Sequence, residues 1–297
     1  MARGHRWLII ALGVVALTVA LALLAPGGQD SLAQGKVIYV DADAGGLNNG
    51  SSWLNANTDL QPALAAAFSD ELIWVAAGTY KPTAEHGGAG DRYKSFQLVN
   101  GVALCGGFDP SVGDVDWTDR DWANNVTILS GDLGTEGDDA DNAYHVFYHP
   151  SGTDLDSTAI LNGFTINGGN ANGDASPSDR GGGMMTSHSS PVLTDCTFTG
   201  NTEDSGGGGM TNPFSSSPVL TNCTFQGNSV GISGGAMYNQ DDSSPELTNC
   251  TFSGNSAGTS GGAVFNRRQS SPALVNCILW GNVPDEIAND DPESSPV

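Results

Sequence analysis

The feature that most constrains this chain is a repeat of about 27 residues in its C-terminal half. Cys196, Cys223, Cys250 and Cys277 recur at one constant spacing, and each ends the motif SSP-x-L-[TV]-[DN]-C. A looser copy precedes them, with five extra residues around the segment "DASPSDR". Because a fixed period of this length is typical of stacked structural units, the repeat predicts a solenoid.

Each repeat predicts short strands and no helix. Cys223 and Phe225 alternate with Thr224 and Gln226, a period of two that is typical of a strand with one buried face. Three such segments recur, around "PVLT", "CTFSGN" and "GGAMYN". Strands that recur in one direction pair in parallel between repeats. The predicted fold is therefore all-β, a right-handed parallel β-helix (a single-stranded β-solenoid) with three short strands in each coil of about 27 residues.

In this fold, equivalent residues of successive coils form columns with a spacing of about 4.8 Å. We expect Asn222, Asn249 and Asn276, with Asp195, to form a polar column at a corner, because asparagine tolerates the left-handed backbone region. The glycine pairs of "GGAM" and "GGAV" indicate tight turns against the neighbouring coil. The column expected inside the helix comprises Phe198, Phe225 and Phe252.

The motifs resemble those of a known group of proteins. The pairing of FTGN, FQGN and FSGN with GGAM and GGAV resembles the repeats of chlamydial polymorphic outer membrane proteins. It is also similar to the repeats of bacterial secreted right-handed parallel β-helix proteins of the pectate-lyase-like superfamily. The N-terminal coils of those proteins are resembled by three upstream segments of this chain, "VIYVDADAGG", "ELIWVAAGTYKPT" and "NVTILSGDL". The resemblance covers nearly everything after residue 35 and implies the fold. It implies no single activity, because the superfamily includes lyases, glycosidases and adhesins.

Residues 1–33 are predicted to be an export signal peptide. Arg3 and Arg6 precede the uninterrupted apolar run Trp7–Ala25, and a small-residue cleavage site follows at "SLA". The alternative is an uncleaved membrane anchor, because this run is longer than the roughly 7–15 residues of a usual signal core. We therefore expect a secreted or cell-surface protein, with outer-membrane association as an alternative and no membrane span after cleavage.

Two regions follow the predicted signal peptide. Residues 34–157 are predicted to form an N-terminal capping region and irregular coils, and residues 158–297 the regular repeats. The segment "NTDLQPALAAAF" predicts a short helix that begins at Thr58 and covers the open edge of the first coil. After "NCILWGN" the repeat degenerates. We therefore expect a truncated C-terminal end, or a last coil that associates end to end with a second copy.

The five cysteines are not expected to form disulfides, although the chain is predicted to be exported. Four of them occupy one position of successive coils, where parallel Cβ vectors about 4.8 Å apart exceed the spacing of a disulfide. A single file of sulfur atoms also cannot surround a zinc ion. These residues predict a buried thiol column, and Cys105 is expected at a similar interior position of an earlier coil.

The net charge of the chain limits the classes of molecule that it can bind. The formal net charge of −23 excludes nucleic acid and disfavours direct binding of a polyanion unless calcium bridges the two. The segment "GDLGTEGDDADN" predicts a calcium site on a glycine-rich turn, with a solvated acidic loop as the alternative. Calcium is the one cofactor that the sequence suggests. Its candidate ligands are Asp132, Glu136, Asp138, Asp139 and Asp141.

No catalytic motif stands out, and two functions remain open. His145 and His149 would lie about 13 Å apart on one strand face, too far to share a metal. The arginines and carboxylates match neither the pectate lyase nor the polygalacturonase pattern, and a G-x-S-x-G elbow is missing. The first hypothesis is a non-catalytic surface solenoid, or adhesin-like protein, that binds a polysaccharide, a cell-surface glycan, an ion or a partner. The second is a polysaccharide lyase or glycoside hydrolase of the same fold.

Overall fold

The computed structural model describes residues 35–113, 115–294 and 296. The predicted signal peptide, residues 1–33, lies outside the described residues. The elements before the regular repeats are β1 (Lys36–Val40), α1 (Leu60–Ala66), β2 (Glu71–Ala76), β3 (Gly78–Tyr80), a 3-10 helix (Asp91–Tyr93), β4 (Ala103–Phe108), two 3-10 helices (Pro110–Val112 and Trp117–Asp119), β5 (Thr127–Ser130), a 3-10 helix (Asp139–Asp141) and β6 (Phe147–His149).

The regular coils consist of very short strands. The first two coils comprise β7 (Ile160–Asn162), β8 (Thr165–Asn167), β9 (Asn170–Ala171), β10 (Met184–Thr186), β11 (Val192–Thr194), β12 (Thr197–Thr199), β13 (Thr202–Glu203) and β14 (Met210–Pro213). The next coils comprise β15 (Val219–Thr221), β16 (Thr224–Gln226), β17 (Ser229–Val230), β18 (Met237–Gln240), β19 (Glu246–Thr248), β20 (Thr251–Ser253), β21 (Ser256–Ala257), β22 (Val264–Arg267), β23 (Ala273–Val275), β24 (Ile278–Trp280) and β25 (Ile287–Asn289).

Like strands of successive coils pair in parallel, and across the described residues they form four sheets. Sheet 1 has the order β1-β2-β4-β7-β11-β15-β19-β23, and sheet 2 the order β3-β5-β8-β12-β16-β20-β24. Sheet 3 is β9-β13-β17-β21, and sheet 4 is β6-β10-β14-β18-β22-β25. Equivalent residues of successive repeats face each other, as Phe198 faces Phe225 and Phe225 faces Phe252. This pairing confirms the predicted all-β parallel β-helix.

The prediction of three strands per coil missed the strands of sheet 3. These strands are two residues long, as in Ser229–Val230, and follow the F-x-x-N motif. Two residues offer too few positions to show a period of two in the sequence. They are strands because they pair in parallel with the next coil, where Ser229 faces Ser256 and Val230 faces Ala257.

A stack of phenylalanine rings fills the centre of the regular coils, as predicted. The ring centroids of Phe198 and Phe225 are 4.8 Å apart with planes at 4°, and those of Phe225 and Phe252 are 4.9 Å apart with planes at 3°. All three side chains are fully buried, and they share one hydrophobic core with Leu220 and Cys223. The spacing equals that of paired strands, so the rings are in contact along the whole stack.

Polar columns line the corners beside this core. The predicted corner column has left-handed backbone at each residue, and the Asn222 side chain donates to Asp195 Oδ1 at 3.1 Å. A buried asparagine column, which sequence analysis did not predict, follows the phenylalanines. Each of its amides donates to the next at 2.8 to 3.0 Å, which satisfies these polar groups inside the core. Its members are Asn201, Asn228, Asn255 and Asn282.

The glycine pairs occupy the tight turns that were predicted for them. Gly234 and Gly261 have φ angles of +76° and +64°, which favour glycine. A Cβ atom on Gly235 would run into the carbonyl oxygen of Gly262 in the next coil. The glycines therefore allow the coils to approach at this corner.

All five cysteines, each within the described residues, are free thiols. Cys196, Cys223 and Cys250 are buried in the central core, as predicted. The prediction for Cys105 is wrong. This residue lies on β4 beside Leu104, and the alternation of the strand points it to a second cluster outside sheet 1, with Trp74 and Phe108. Burial there raises its pKa to about 11.

Helix α1 caps the first coil, as predicted, but it begins one residue later than expected. The N-cap is Asp59 and not Thr58, because the Asp59 carboxylate accepts a hydrogen bond from the Gln61 N–H at 2.9 Å. Leu60 and Leu64 are buried against the core. None of the helices in the described ranges is long and apolar enough to cross a membrane.

The core column leads to a first prediction. We expect Phe225→Ala to lower the free energy of unfolding by about 3–5 kcal/mol, because it empties a packed aromatic site between two stacked rings. Thr224→Ala, at the half-buried neighbour on the other strand face, should change it by no more than about 0.5 kcal/mol. Urea unfolding followed by circular dichroism measures both. Equal effects of the two variants would contradict the stacked core.

The coil that carries β23 and β24 differs from the others on its outer face. Val275, Ile278 and Trp280 stand where the preceding coil has Thr248, Thr251 and Ser253. These apolar side chains are 52%, 62% and 75% exposed. An exposed apolar band is typical of a contact surface, so association of two copies through this coil stays a prediction.

Light scattering tests this second prediction. We expect the molar mass of the purified chain to rise with concentration, and the change Trp280→Ser to reduce that rise because it removes the largest exposed apolar side chain of the band. Phe68→Ser, at an equally exposed phenylalanine near α1, is the control. A molar mass that stays monomeric up to the highest soluble concentration would rule the association out.

Candidate functional site

The five candidate calcium ligands lie on one loop, but their carboxylates shape the loop itself. Asp132 Oδ2 accepts from the Gly137 N–H at 2.9 Å, and Asp141 Oδ2 accepts from the Thr135 N–H at 2.8 Å. Asp138 caps the 3-10 helix Asp139–Asp141.

A lysine side chain also lies beside one of these carboxylates. Lys81 Nζ lies 3.4 Å from Asp132 Oδ1, while Glu136 and Asp139 are exposed. Within the described ranges, no three His, Cys, Asp or Glu side chains are grouped so that they could hold a metal ion. The calcium site therefore stays a prediction, and it would need a rearrangement of the loop.

His145 and His149 are both buried and lie at hydrogen-bond distance from backbone groups. His145 Nδ1 lies 3.0 Å from the carbonyl oxygen of Gly181, and His149 Nε2 accepts from the Leu98 N–H at 2.9 Å. Burial lowers the pKa of His145 to about 4 and that of His149 to about 3. Both side chains are therefore neutral at pH 7.

A groove of about 320 Å³ lies over the corner between sheets 1 and 2. We call it the Trp122 groove. Two columns supply its polar lining. The first is a threonine column on sheet 2, in which Thr165, Thr197 and Thr224 face each other in register, and the second is the corner column beside it. The residues that line the groove include Trp122, Gly163, Thr165, Asp195, Thr197, Asn222 and Thr224.

The loop after the 3-10 helix Trp117–Asp119 carries Trp122 to this corner. The Asp121 N–H donates to the Gly107 carbonyl at 2.9 Å, which fixes the loop on β4. A Cβ atom on Gly107 would lie 2.7 Å from the Trp122 Cα, so glycine is needed for this approach. The indole of Trp122 remains 37% exposed where it lines the groove.

Arg120 lies beneath Trp122 and takes the place of a missing column residue. Gly163 stands in the corner column one coil before Asp195, and a Cβ atom on it would run into Arg120 Nη2. Arg120 Nη2 donates to the Asn162 carbonyl at 2.9 Å, and its guanidinium lies 4.9 Å from the Trp122 ring centroid. The Nη1 atom is buried and has no hydrogen-bond partner within the described part of the chain.

Asp195 is the carboxylate of the Trp122 groove. Burial raises its pKa, while the hydrogen bond from Asn222 and the charge of Arg120 oppose that rise. Of the described residues that line this groove, Asp195 is the one acid. The groove thus lacks the second carboxylate that a glycosidase requires, and it holds one aspartate where a calcium-dependent lyase requires a cluster.

The Trp122 groove combines one aromatic side chain with hydroxyl, amide and carboxylate groups. An aromatic surface packs against the apolar face of a pyranose ring, and hydroxyl, amide and carboxylate groups bond its hydroxyls. Sequence analysis placed Asp195 in the corner column but gave Arg120 and Trp122 no role. The signal that could have found them is Gly163, because it stands one coil before Asp195 at a position that the later coils fill with Asp or Asn.

A second groove of about 680 Å³ lies outside the first coils. Three carboxylates line it, from Asp41, Asp43 and Asp109, beside the rings of Trp53 and Phe108. The backbone N–H of Asp43 donates to Asp41 Oδ1 at 3.0 Å, so one of these carboxylates holds the turn. This groove offers more than one acid, which the Trp122 groove does not.

Comparisons with known proteins agree with this architecture. The family model described as "Right handed beta helix region" matches residues 136–291. The crystal structure of pectate lyase Pel9A is similar with a TM-score of 0.51 and 15% sequence identity over 86% of this chain, and the chain spans 56% of that structure. No curated protein sequence matches the chain. At this identity the structural likeness shows the fold alone, and since the family model covers more than half of the sequence, the chain belongs to the right-handed β-helix family.

Proposed function

We propose that this protein is a non-catalytic β-helix that binds a glycan through the Trp122 groove. The observation that supports this function best is that one partly exposed tryptophan lines the same groove as two columns of hydroxyl, amide and carboxylate side chains. Thr197 and Thr224 repeat along sheet 2 in register, so equivalent donors and acceptors recur from coil to coil. A repeated polysaccharide suits such a repeated surface.

The charge of the site favours a neutral glycan. The formal net charge of −23 opposes binding of an anionic polymer, and Asp195 adds an acid within the groove. Arg120 does not reverse this, because its guanidinium donates to carbonyl oxygens and packs under Trp122. We therefore infer that sugar hydroxyls, and not uronate groups, are the groups bound.

The predicted location supports the same function. An export signal at residues 1–33 would place the coils outside the cell, and the repeats resemble those of surface proteins. The similar solved structure is a pectate lyase by its title, and it shares only the fold with this chain. We carry over from it the ligand class, a polysaccharide, and no catalytic step.

The alternative function is a carbohydrate-active enzyme that works in the second groove. The observation in its favour is that Asp41, Asp43 and Asp109 lie around one cavity beside Trp53. A hydrolase needs one carboxyl group as proton donor and a second as base or nucleophile. A polysaccharide lyase would also need a base beside a bound uronate, which the negative charge disfavours.

A glycan array tests the proposed function. We expect Trp122→Ala to weaken binding of the best glycan at least about fivefold, because stacking on an aromatic ring contributes roughly 1–3 kcal/mol. The control is Phe68→Ala, an exposed aromatic residue away from the groove. Binding that is equal in the wild-type and Trp122→Ala proteins would contradict the site.

The same preparation separates binding from catalysis. Incubation of the wild-type protein with the bound glycan should leave its chain length unchanged. Release of new reducing ends, lost in Asp109→Asn and kept in Trp122→Ala, would instead support the enzyme.

The calcium prediction is tested with the mature chain. We expect calcium to raise the melting temperature, because it would neutralise several carboxylates on one loop. The variant Asp132→Asn should reduce the gain, whereas Asp285→Asn, on a distant coil, should not. No heat of binding and no thermal shift at millimolar calcium would exclude the site.

A further inference from the structure

One coil carries an insertion that the other regular coils lack. The connection from β9 to β10, residues 172–183, is twice as long as the equivalent connections 204–209, 231–236 and 258–263 of the later coils. We call residues 172–183 the insertion loop. It contains the segment "DASPSDR" that the sequence predicted as an insertion.

The same region holds a carboxylic acid in a column of small apolar residues. Glu203 on β13 faces Ala171 in the coil before it and Val230 in the coil after it, and Ala257 follows. Only 4% of Glu203 is exposed, and neither carboxyl oxygen has a hydrogen-bond partner within the described residues. An ionised carboxylate is strongly disfavoured in such a place, because it loses its hydration and gains no hydrogen bond in return.

The charged groups around Glu203 come from the insertion loop and from its own turn. Asp179 and Asp204 act on it as like charges, and Arg180 as an opposite charge. Arg180 does not neutralise it by contact, because its ion pair is made with Asp179 at 3.8 Å. The facing residues of the neighbouring coils, Ala171 and Val230, are uncharged.

The electrostatic balance favours the protonated acid. Burial raises the pKa of Glu203 well above its ordinary value, and the charges of Asp179 and Asp204 add to this rise, while the nearby Ser205 N–H and Arg180 oppose it. A neutral Glu203 is thus the form that suits the closed loop.

The two ends of the insertion loop bond to neighbouring coils, while its centre, residues 174–180, has few hydrogen bonds to them. Its centre is closed on itself by the bonds from Gly173 N–H to the Ser178 carbonyl at 2.9 Å and from Ser178 Oγ to the Ala175 carbonyl at 2.8 Å. Among the described hydrogen bonds, residues 174–180 reach another coil once, from Arg180 Nη1 to Gln240 Oε1 at 3.4 Å. This centre can therefore leave the coils without breaking a sheet.

We propose that the insertion loop is a pH-sensitive latch, which stays closed over Glu203 while this side chain is uncharged and opens when it ionises. The open loop exposes the carboxylate to water and removes Asp179 from its side. The insertion loop follows Ala171, the residue that Glu203 faces in the preceding coil, and a latch explains both departures from the repeat.

The sign of the pH effect follows from linkage. In the closed state Glu203 holds a proton. In the open state the side chain releases this proton near its ordinary pKa of 4.5. The ratio of open to closed loop therefore rises about tenfold per pH unit above that value, until the pH reaches the raised pKa of the closed state. The loop is closed most firmly in acid.

Limited trypsin cleavage of the mature chain measures this opening, because the Arg180–Gly181 bond lies in the loop and cleavage follows the open population. Rates are taken from about pH 6 to 9, the range in which the linked transition is expected, and each is divided by the rate for Glu203→Gln. This uncharged side chain of equal size keeps the loop closed, and the ratio cancels the pH dependence of trypsin itself.

We expect this ratio to rise with pH, by about tenfold per unit until it levels off at the raised pKa of Glu203 in the closed state, and to level off earlier in Asp179→Asn, which removes a like charge and leaves the cleavage site intact. A ratio that does not change with pH overturns the latch. Glu203→Val, the residue of the next coil at this position, serves as a second uncharged reference if the glutamine variant is unstable. Circular dichroism at each pH shows whether the coils stay folded, and cleavage that tracks their unfolding also overturns it.

Discussion

Parallel pairing of each strand with its equivalent one coil away brings like side chains into contact, and the rest of the structure depends on this. A residue can fill a column only if it packs on itself or bonds to itself. Phenylalanine does the first, as the 4.8 Å contact of Phe198 with Phe225 shows. Asparagine does the second, because its amide both donates and accepts. Aspartate only accepts, so Asp195 stands at the end of its column and receives the bond from Asn222.

The same constraint explains where chemistry can arise. A column does not repeat one charged group from coil to coil, since like charges would repel along the stack. Both sites lie where one residue departs from a column, beside a loop that does not repeat. Gly163 stands where the corner column would continue before Asp195, and Arg120 of the loop with Trp122 occupies the space of the missing side chain. Glu203 interrupts an apolar column, and Asp179 and Arg180 of the insertion loop lie near it.

The regular coils could be predicted from the sequence because a fixed period converts a distance along the chain into a contact. That argument placed Phe225 and Asn222 correctly and made Cys223 a packed thiol. It failed where no repeat exists. The side of sheet 1 that Cys105 faces depends on the register of an irregular strand, and the position of Trp122 depends on a contact with Gly107 that no local pattern encodes.

The two sites share one coil without having to influence each other. Asp195 precedes β12 and Glu203 follows it, so the strand Thr197–Thr199 separates the groove from the latch. Its central residue, Phe198, is fully buried and stacked on Phe225, which holds β12 in place whether the insertion loop is open or closed. Because each coil contacts only its neighbours, the groove and the latch can lie on adjacent corners and act independently of each other.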